Sequence, residues 1–486
     1  MMTVRQAAHA LHAESSGQDV SFTAVSTDSR TIGRGNLFVA LTGEKFDGHD
    51  YLPEVQQKGA SAALVRQDCA ASKGAGIPLI LVKDPRLALG QLAKYWRDRF
   101  AIPVVAVTGS NGKTTVKEML ASILQQAAQR GQRTPGPERV LFTEGNLNND
   151  IGVPLTLLRM REQHVYAVIE MGMNHSGEIA YLSRLTRPSV AVITNAGMAH
   201  TRDLGSVEAV AYAKGEIFEG LDEQGIAVIN ADDSYAPLWR KLAAGVDEGA
   251  RGGRAKGGER DGKSRKILEF GLGGKPAVSA RYQLDPLDPH HSPLDSPGSR
   301  MSLLLPACTE EVELQVPGVH NICNALAAAA AAVAMGIEGK VIAAGLSQFR
   351  GVKGRMQRKY GLHGSILIDD SYNANPESVK AGLAVLAKAD GKKIMVLGDM
   401  GELGDSARDA HARIGAEARF SGIDKLFALG EFSAYAVDQF GPGAKHFDEI
   451  EGLLAEVESE LTPDTTVLIK GSRFMRMERV AARFEQ

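Results

Sequence analysis

Short runs that are apolar at every position recur along this chain, separated by longer stretches with helical spacing. VVAVTG is followed by TTVKEMLASILQQAAQ, then by VYAVIEMG, SVAVITNAG, a helical stretch from about 207 to 221, and IAVIN. A strand without polar alternation must be covered on both faces, as parallel strands between two layers of helices are. The alternation restarts after Lys359 with SILIDDS, KKIMVLGD, DKLFALG and TTVLIKG, each separated by a helix-length segment, which predicts a second α/β unit. Before residue 85 the runs are shorter (FTAVSTDSR, NLFVALTG, AALVR, PLILV) with one helical stretch near 52–58, and predict a small α/β unit. Residues 87–100 read as an amphipathic helix leading into IPVVAVTG.

Two segments break the pattern. Residues 245–266 hold seven glycines among 22 positions, with scattered charges and no hydrophobic period, and read as a flexible surface insertion. The Pro/His/Asp stretch around 285–297 reads as loop. A chain of 486 residues exceeds one hydrophobic core, and about 150 residues per domain suggests three. The boundaries read from the pattern are 1–85, 86–350 and 351–486.

Composition mainly excludes. With 55 basic against 58 acidic residues the net charge is −3, which offers no broad basic surface for nucleic acid, so an anionic ligand needs a local site. Cys69, Cys308 and Cys323 are odd in number and lack CxxC spacing, which argues against a disulfide framework or a zinc site. The start has no apolar signal core, and the Ala-rich stretch 325–337 falls short of the ~20 residues of a membrane span. The expectation is a cytoplasmic, monomeric enzyme.

The sharpest chemical signal is VAVTGSNGKTT, residues 108–115 lying between an apolar strand and a helix. Gly109 and Gly112 let backbone N–H groups approach a polyphosphate, and the following helix adds its positive end. Lys113 supplies a cation for the β and γ phosphates, and the Thr114 hydroxyl is a natural Mg²⁺ ligand. Thr108, Ser110, Asn111 and Thr115 complete the cradle; Val107 stands where the strict motif has glycine, so the loop is a T-G-x-x-G-K-T variant. The fold class that follows is α/β in three domains: a central P-loop-type, mostly parallel sheet, a small amino-terminal α/β domain and a carboxyl-terminal Rossmann-like α/β domain. Motors, switches and ligases share such a loop, so the reaction must be read from other residues. Glu170 ends the next apolar strand, and Asn195 and His200 follow the one after, all on the edge where doubly wound sheets bind ligands. Lys214 sits in a mostly apolar helix, where a lysine often only extends its stem to reach solvent.

Taken together, these segments resemble the Mur ligase family nearly end to end. STDSRTIGRGNLFVALTGEKFDGHDY is similar to the family's uridine-nucleotide domain, and TEGNLNNDIGVPLTLL, AKGEIF, DDSYNANPES and LGDMGELG are similar to its D-alanyl-D-alanine-adding branch. The resemblance implies an ATP-dependent ligase. It would join D-alanyl-D-alanine to UDP-N-acetylmuramoyl-tripeptide through an acyl phosphate, for peptidoglycan synthesis. It implies catalytic roles for Lys113, His200 and Lys214, and two magnesium ions, one at Thr114 and one at Glu170 and His200, helped by a carbamate on Lys214. Asn321 is expected near the adenine, with Arg355 and Asp370 reaching ATP from the third domain beside Tyr372, Asn373, Asn375 and Pro376. Ser26, Asp28, Ser29 and Arg30 are expected at the UDP-sugar, and Thr143, Asn146 and Asn149 at the muramoyl tripeptide. Asp399, Met400, Glu402, Lys470, Ser472 and Arg473 are expected at the incoming dipeptide. A sibling ligase for another amino acid, a folate polyglutamate ligase and a nucleotide switch are the competing readings.

Overall fold

In a computed structural model the described residues are 1–69, 76–130, 139–198, 204–222, 224–245, 265–284 and 298–486. His200 and almost all of the glycine-rich 245–266 segment lie outside them, as does the 285–297 stretch. The central element is a six-stranded sheet in the order Lys266–Phe270, Ile226–Asn230, Val190–Ile193, Val104–Thr108, Tyr166–Glu170, Val140–Phe142. All of its pairings are parallel. From the Val104–Thr108 strand the chain builds first to one side and then to the other, which makes this strand's carboxyl end the switch point. Register brings Glu170 opposite Val107 and Ile193 opposite Thr108, so three strand ends open on one edge.

Alternation along each strand feeds two cores. Val105, Val107, Val168, Val192 and Val228 pack beneath the helices Lys113–Gln129 and Val319–Ala334. Ala106, Ala167, Ile169, Ala191 and Ile193 face a core that continues through helix Pro85–Arg97 into the amino-terminal unit, including Leu37, Val39, Leu64 and Ile80. The Ala-rich stretch is buried helix: residues 325–332 are almost wholly covered, and their small side chains let the helix sit close to the sheet.

The amino-terminal sheet runs Glu14–Ser16, Leu79–Val82, Ala62–Arg66, Asn36–Val39, Ala24–Ser26, with only the first strand antiparallel. The carboxyl-terminal sheet runs Gln357–Tyr360, Ile366–Asp370, Thr465–Lys470, Lys392–Gly398, Lys425–Leu429, Ala444–Phe447, again with one antiparallel edge strand. Two differences from the sequence reading stand out. A three-stranded antiparallel sheet, Ser279–Leu284, Ser299–Leu304 and Thr309–Leu314, appears where no strands were expected. The helix expected to about 221 is α-helical only over Val207–Gly215 and continues as a 3₁₀ turn over Glu216–Gly220. Among the described residues no helix is long and apolar enough to cross a membrane.

Candidate functional site

A cavity of about 1060 Å³ opens at the switch point, between the carboxyl edge of the central sheet and that of the carboxyl-terminal sheet. Its floor is residues 110–115 of the loop, with Thr108 buried behind them, its hydroxyl donating to Met171 O at 2.9 Å. Gly109 and Gly112 have φ of +152° and +82°, and a Cβ would come within 1.8 Å of Thr194 Oγ1 or 2.2 Å of Asn324 Oδ1. A side chain would be strained at both places, where φ is positive and the space is taken, and the helix Lys113–Gln129 starts at Gly112 without a side-chain cap. Its first N–H groups therefore face the cavity, open to an anion.

The loop is clamped from the next strand end. Asn111 N donates to Asn195 Oδ1 at 2.9 Å, Ser110 N to Asn195 O at 2.9 Å, and Thr194 Oγ1 to Asn111 O at 2.6 Å. Lys113 Nζ bends back to donate to Gly109 O at 2.7 Å and Ser110 O at 3.3 Å. Burial lowers the Lys113 pKa, and Glu170 opposes that shift.

Glu170 is 1% exposed. Its backbone N donates to Thr143 Oγ1 at 2.9 Å, and its Oε1 accepts from Asn148 Nδ2 at 2.8 Å. Glu170 Oε2 is buried and has no hydrogen-bond partner. An orphaned carboxylate oxygen in a buried setting is costly, and a cation at that point would offset the cost. Lys214 is likewise 1% exposed rather than extended to solvent. Burial, seconded by the charge of Lys113, pushes its amine well below the ordinary lysine range. Among the described residues no group of three or more His, Cys, Asp or Glu side chains forms a ready metal cage. Mg²⁺ takes one or two carboxylates together with phosphate oxygens and water, and the unpaired Glu170 oxygen is one such carboxylate donor.

The opposite wall comes from the carboxyl-terminal unit. Arg355 Nη2 donates to Thr114 Oγ1 at 3.0 Å, and its guanidinium stacks 4.3 Å from the Tyr372 ring centroid. Asn375 Nδ2 donates to Asn111 Oδ1 at 2.8 Å, and Glu377 Oε1 accepts from Met198 N at 3.1 Å. Asp370 Oδ2 accepts from Lys470 Nζ at 2.6 Å, and Lys470 Nζ also donates to Asn373 O at 3.1 Å.

The cavity thus gathers 110–115, Asn146, Asn149, Glu170, Asn321, Arg355, Asp370, Glu402, Lys470, Ser472 and Arg473 from the predicted residues. Others do not reach it. Thr143 is fully buried, its hydroxyl spent on Glu170. Asp399 instead accepts from Ser433 N at 2.7 Å and Phe432 N at 3.2 Å, fixing a turn, and the Met400 side chain lies in the hydrophobic core. Lys470 does line the cavity, but its side chain is 2% exposed and paired with Asp370, so its ammonium is committed there. Ser26, Asp28, Ser29 and Arg30 form a separate turn outside the cavity lining. Sequence reading missed Asn148, Glu377 and the Arg86–Asp150 ion pair, all on the cavity wall. In NLNND only the fold decides which asparagine faces Glu170.

The comparisons with known proteins follow the same outline. Residues 107–332 match the Mur ligase middle domain, 354–473 the Mur ligase glutamate ligase domain, and 21–97 the Mur ligase family catalytic domain. The UDP-N-acetylmuramoyl-tripeptide--D-alanyl-D-alanine ligase of Escherichia coli (strain K12) is 38% identical, over 100% of this chain and 98% of that protein. This chain belongs to the Mur ligase family. The enzyme of the same name from Bacillus subtilis (strain 168) is 34% identical over 94% of this chain and 92% of its own length. Among solved Mur ligases, a crystal structure of MurF from Acinetobacter baumannii superposes with a TM-score of 0.85 at 35% identity, covering 99% and 98% of the two chains. MurF from Thermotoga maritima, solved in complex with ADP, gives 0.77 at 26% identity over 94% and 96%.

Proposed function

We propose that this chain is an ATP-dependent ligase that joins D-alanyl-D-alanine to UDP-N-acetylmuramoyl-tripeptide. The products are UDP-N-acetylmuramoyl-pentapeptide, ADP and phosphate. The observation that carries the reading is one cavity in which a polyphosphate loop meets Arg355 and Asn375 from a second sheet, within a full-length likeness to enzymes of that name.

A carboxylate is a poor acyl donor, so the tripeptide's terminal carboxylate first attacks the γ-phosphorus of ATP, giving an acyl phosphate and ADP. The amine of D-alanyl-D-alanine then attacks the acyl carbon and phosphate leaves. The first step brings an anion to a polyanion, so the protein's work is alignment and charge neutralisation. We assign Lys113 and the N–H groups of the 108–115 loop to the phosphates, and Arg355 to the γ-phosphoryl as it transfers. Closure of the third unit over the second, held by Asn375 and Glu377, keeps water from the acyl phosphate.

The donor set fits magnesium at Thr114 and at Glu170, whose free oxygen supports the assignment. When bound, the metal supplies positive charge to phosphate and carboxylate oxygens. His200 and a second ion belong to the same proposal. So does a carbamate on Lys214: its buried amine, held toward the neutral form, is the form that adds carbon dioxide with loss of a proton. The anionic product suits a metal. Retained activity in Lys214→Ala, with or without bicarbonate, would defeat that part. The amino-terminal unit, around 26–30, is assigned to the uridine nucleotide, the segment at 143–149 to the muramoyl peptide, and Glu402, Ser472 and Arg473 to the dipeptide. The proposed setting is cytoplasmic.

The test is phosphate release with UDP-muramoyl tripeptide, with and without D-alanyl-D-alanine, and mass identification of the product. Phosphate release that ignores the dipeptide, with no pentapeptide formed, would overturn the reading.

A further inference from the structure

We infer that Lys117 is a positioning residue for this reaction, tying the helix behind the phosphate loop to the segment at 143–149. Nucleotide and muramoyl peptide would then be bound on one frame. The inference rests on the ligase reading above and on the assignment of that segment to the muramoyl peptide.

Lys117 stands one turn beyond Lys113 on the same face of helix Lys113–Gln129, and is 0% exposed. Burying an ammonium group is costly unless its protons are used. Its Nζ donates to Thr143 O at 2.6 Å, lies 2.8 Å from Glu118 Oε1 and is 5.8 Å from the Phe142 ring centroid. Thr143 passes the connection on. Its N–H donates to Val168 O at 3.1 Å, and its hydroxyl accepts from Glu170 N at 2.9 Å. Glu170 in turn holds Asn148, inside the asparagine-rich segment, at 2.8 Å.

These bonds form a buried chain from Lys117 through Thr143 and Glu170 to Asn148. One end lies in the helix behind the 108–115 loop and the other at the cavity wall. An apolar side chain would fill the same volume without the desolvation cost, so packing alone does not call for lysine. Glu118 is 30% exposed at its side chain and does not need the pair, since water can solvate it. What only the lysine supplies is a donor to the Thr143 carbonyl, at the head of the segment. Small displacements of such supporting groups are felt at the reacting atoms.

The experiment compares Lys117→Met and Lys117→Gln with the wild type. Three quantities are read: the Kd of a non-hydrolysable ATP analogue, the KM for UDP-muramoyl tripeptide, and the KM for D-alanyl-D-alanine. Lys117→Met is expected to raise the KM for the muramoyl tripeptide about 10-fold or more and to lower kcat, with analogue binding and dipeptide KM unchanged. Lys117→Gln keeps a donor and recovers part of the loss. Equal weakening of all three ligands with a lowered Tm, or wild-type constants throughout, would overturn the inference. Should neither variant fold, hydrogen exchange in the wild type decides: the analogue with magnesium, and no peptide, should slow exchange of the amides at 143–149. Unchanged exchange sinks it. A wild type that forms no pentapeptide would instead defeat the ligase reading, leaving the Lys117 link to be judged on that exchange alone.

Discussion

The 108–115 loop and the 26–30 turn are both short polar segments that follow a strand, and they are held in opposite ways. The loop is fixed from far along the chain, by Asn195 at 84 residues' separation, Arg355 at 241 and Asn375 at 264. The turn is closed mainly on itself, with one outside tie from Lys58 Nζ to Ser29 O at 2.8 Å. Asp28 N donates to Ser26 Oγ at 3.1 Å, and the Arg30 guanidinium donates twice to the Asp28 carboxylate, at 2.9 and 2.8 Å. Arg30 is 84% exposed at its side chain. Long-range contacts give the loop one shape before any ligand arrives, which suits stabilisation of developing charge. On the proposed assignment to the uridine nucleotide, the turn would instead exchange partners on meeting that anion, which suits binding more than rate. Damage at the loop should therefore appear in kcat, and damage at the turn in KM.

The sharpest way to break that contrast is Lys113→Ala. It is expected to lower kcat by about 10² to 10³-fold, read as phosphate release at saturating substrates. A change confined to KM would contradict the contrast. Next comes Glu170→Gln, which keeps the Asn148 contact but removes the charge. It should shift the magnesium dependence of turnover about 10-fold or more toward higher concentration, with the fold intact by circular dichroism.

A third prediction separates the two regions by pH. Burial pushes His320, on the cavity wall, down to about 4, while an unfolded histidine titrates near 6.5. Between those values the unfolded chain holds a proton that the folded chain lacks. Stability should thus fall by about 2–3 kcal/mol as pH drops from 6.5 to 4, and should be flat in this respect above 6.5. His320→Asn should remove that slope in urea melts. The turn contributes nothing in this window. Arg30 holds the Asp28 carboxyl at about 2, and an acid so depressed loses its contribution only as pH falls below the usual aspartate value. The smallest expected effect is Arg30→Ala: unchanged Tm, unchanged kcat and a severalfold higher KM for UDP-muramoyl tripeptide.

The loop was legible as sequence because it carries its signal locally, whereas the 26–30 turn was expected only from the family resemblance. Glycine at 109 and 112, a lysine and a hydroxyl at a strand–helix junction need no neighbour to be recognised. The apolar strands were equally plain, since burial on both faces leaves no polar alternation to confuse them. The antiparallel strand Thr309–Leu314, TEEVEL, went unread because it faces solvent over much of its length. Asp399 and Met400 belong to a recognisable string, yet one caps a turn and the other fills the core. Their neighbours Gly401, Glu402 and Leu403 reach the cavity.

By itself, then, the sequence determined three α/β units, a phosphate loop and the polar residues at successive strand ends, because strand period and loop chemistry are local properties. Tertiary structure alone decided which of those residues are free to act. Lys117 and Lys214 are both lysines in helices, and only packing shows that neither reaches water. Likewise, only the neighbouring strand and the opposing unit show that Glu170 keeps one unpaired oxygen while Lys470 is committed to Asp370. Burial and hydrogen-bond satisfaction are set by segments from 22 to 264 residues apart, and no local pattern encodes them.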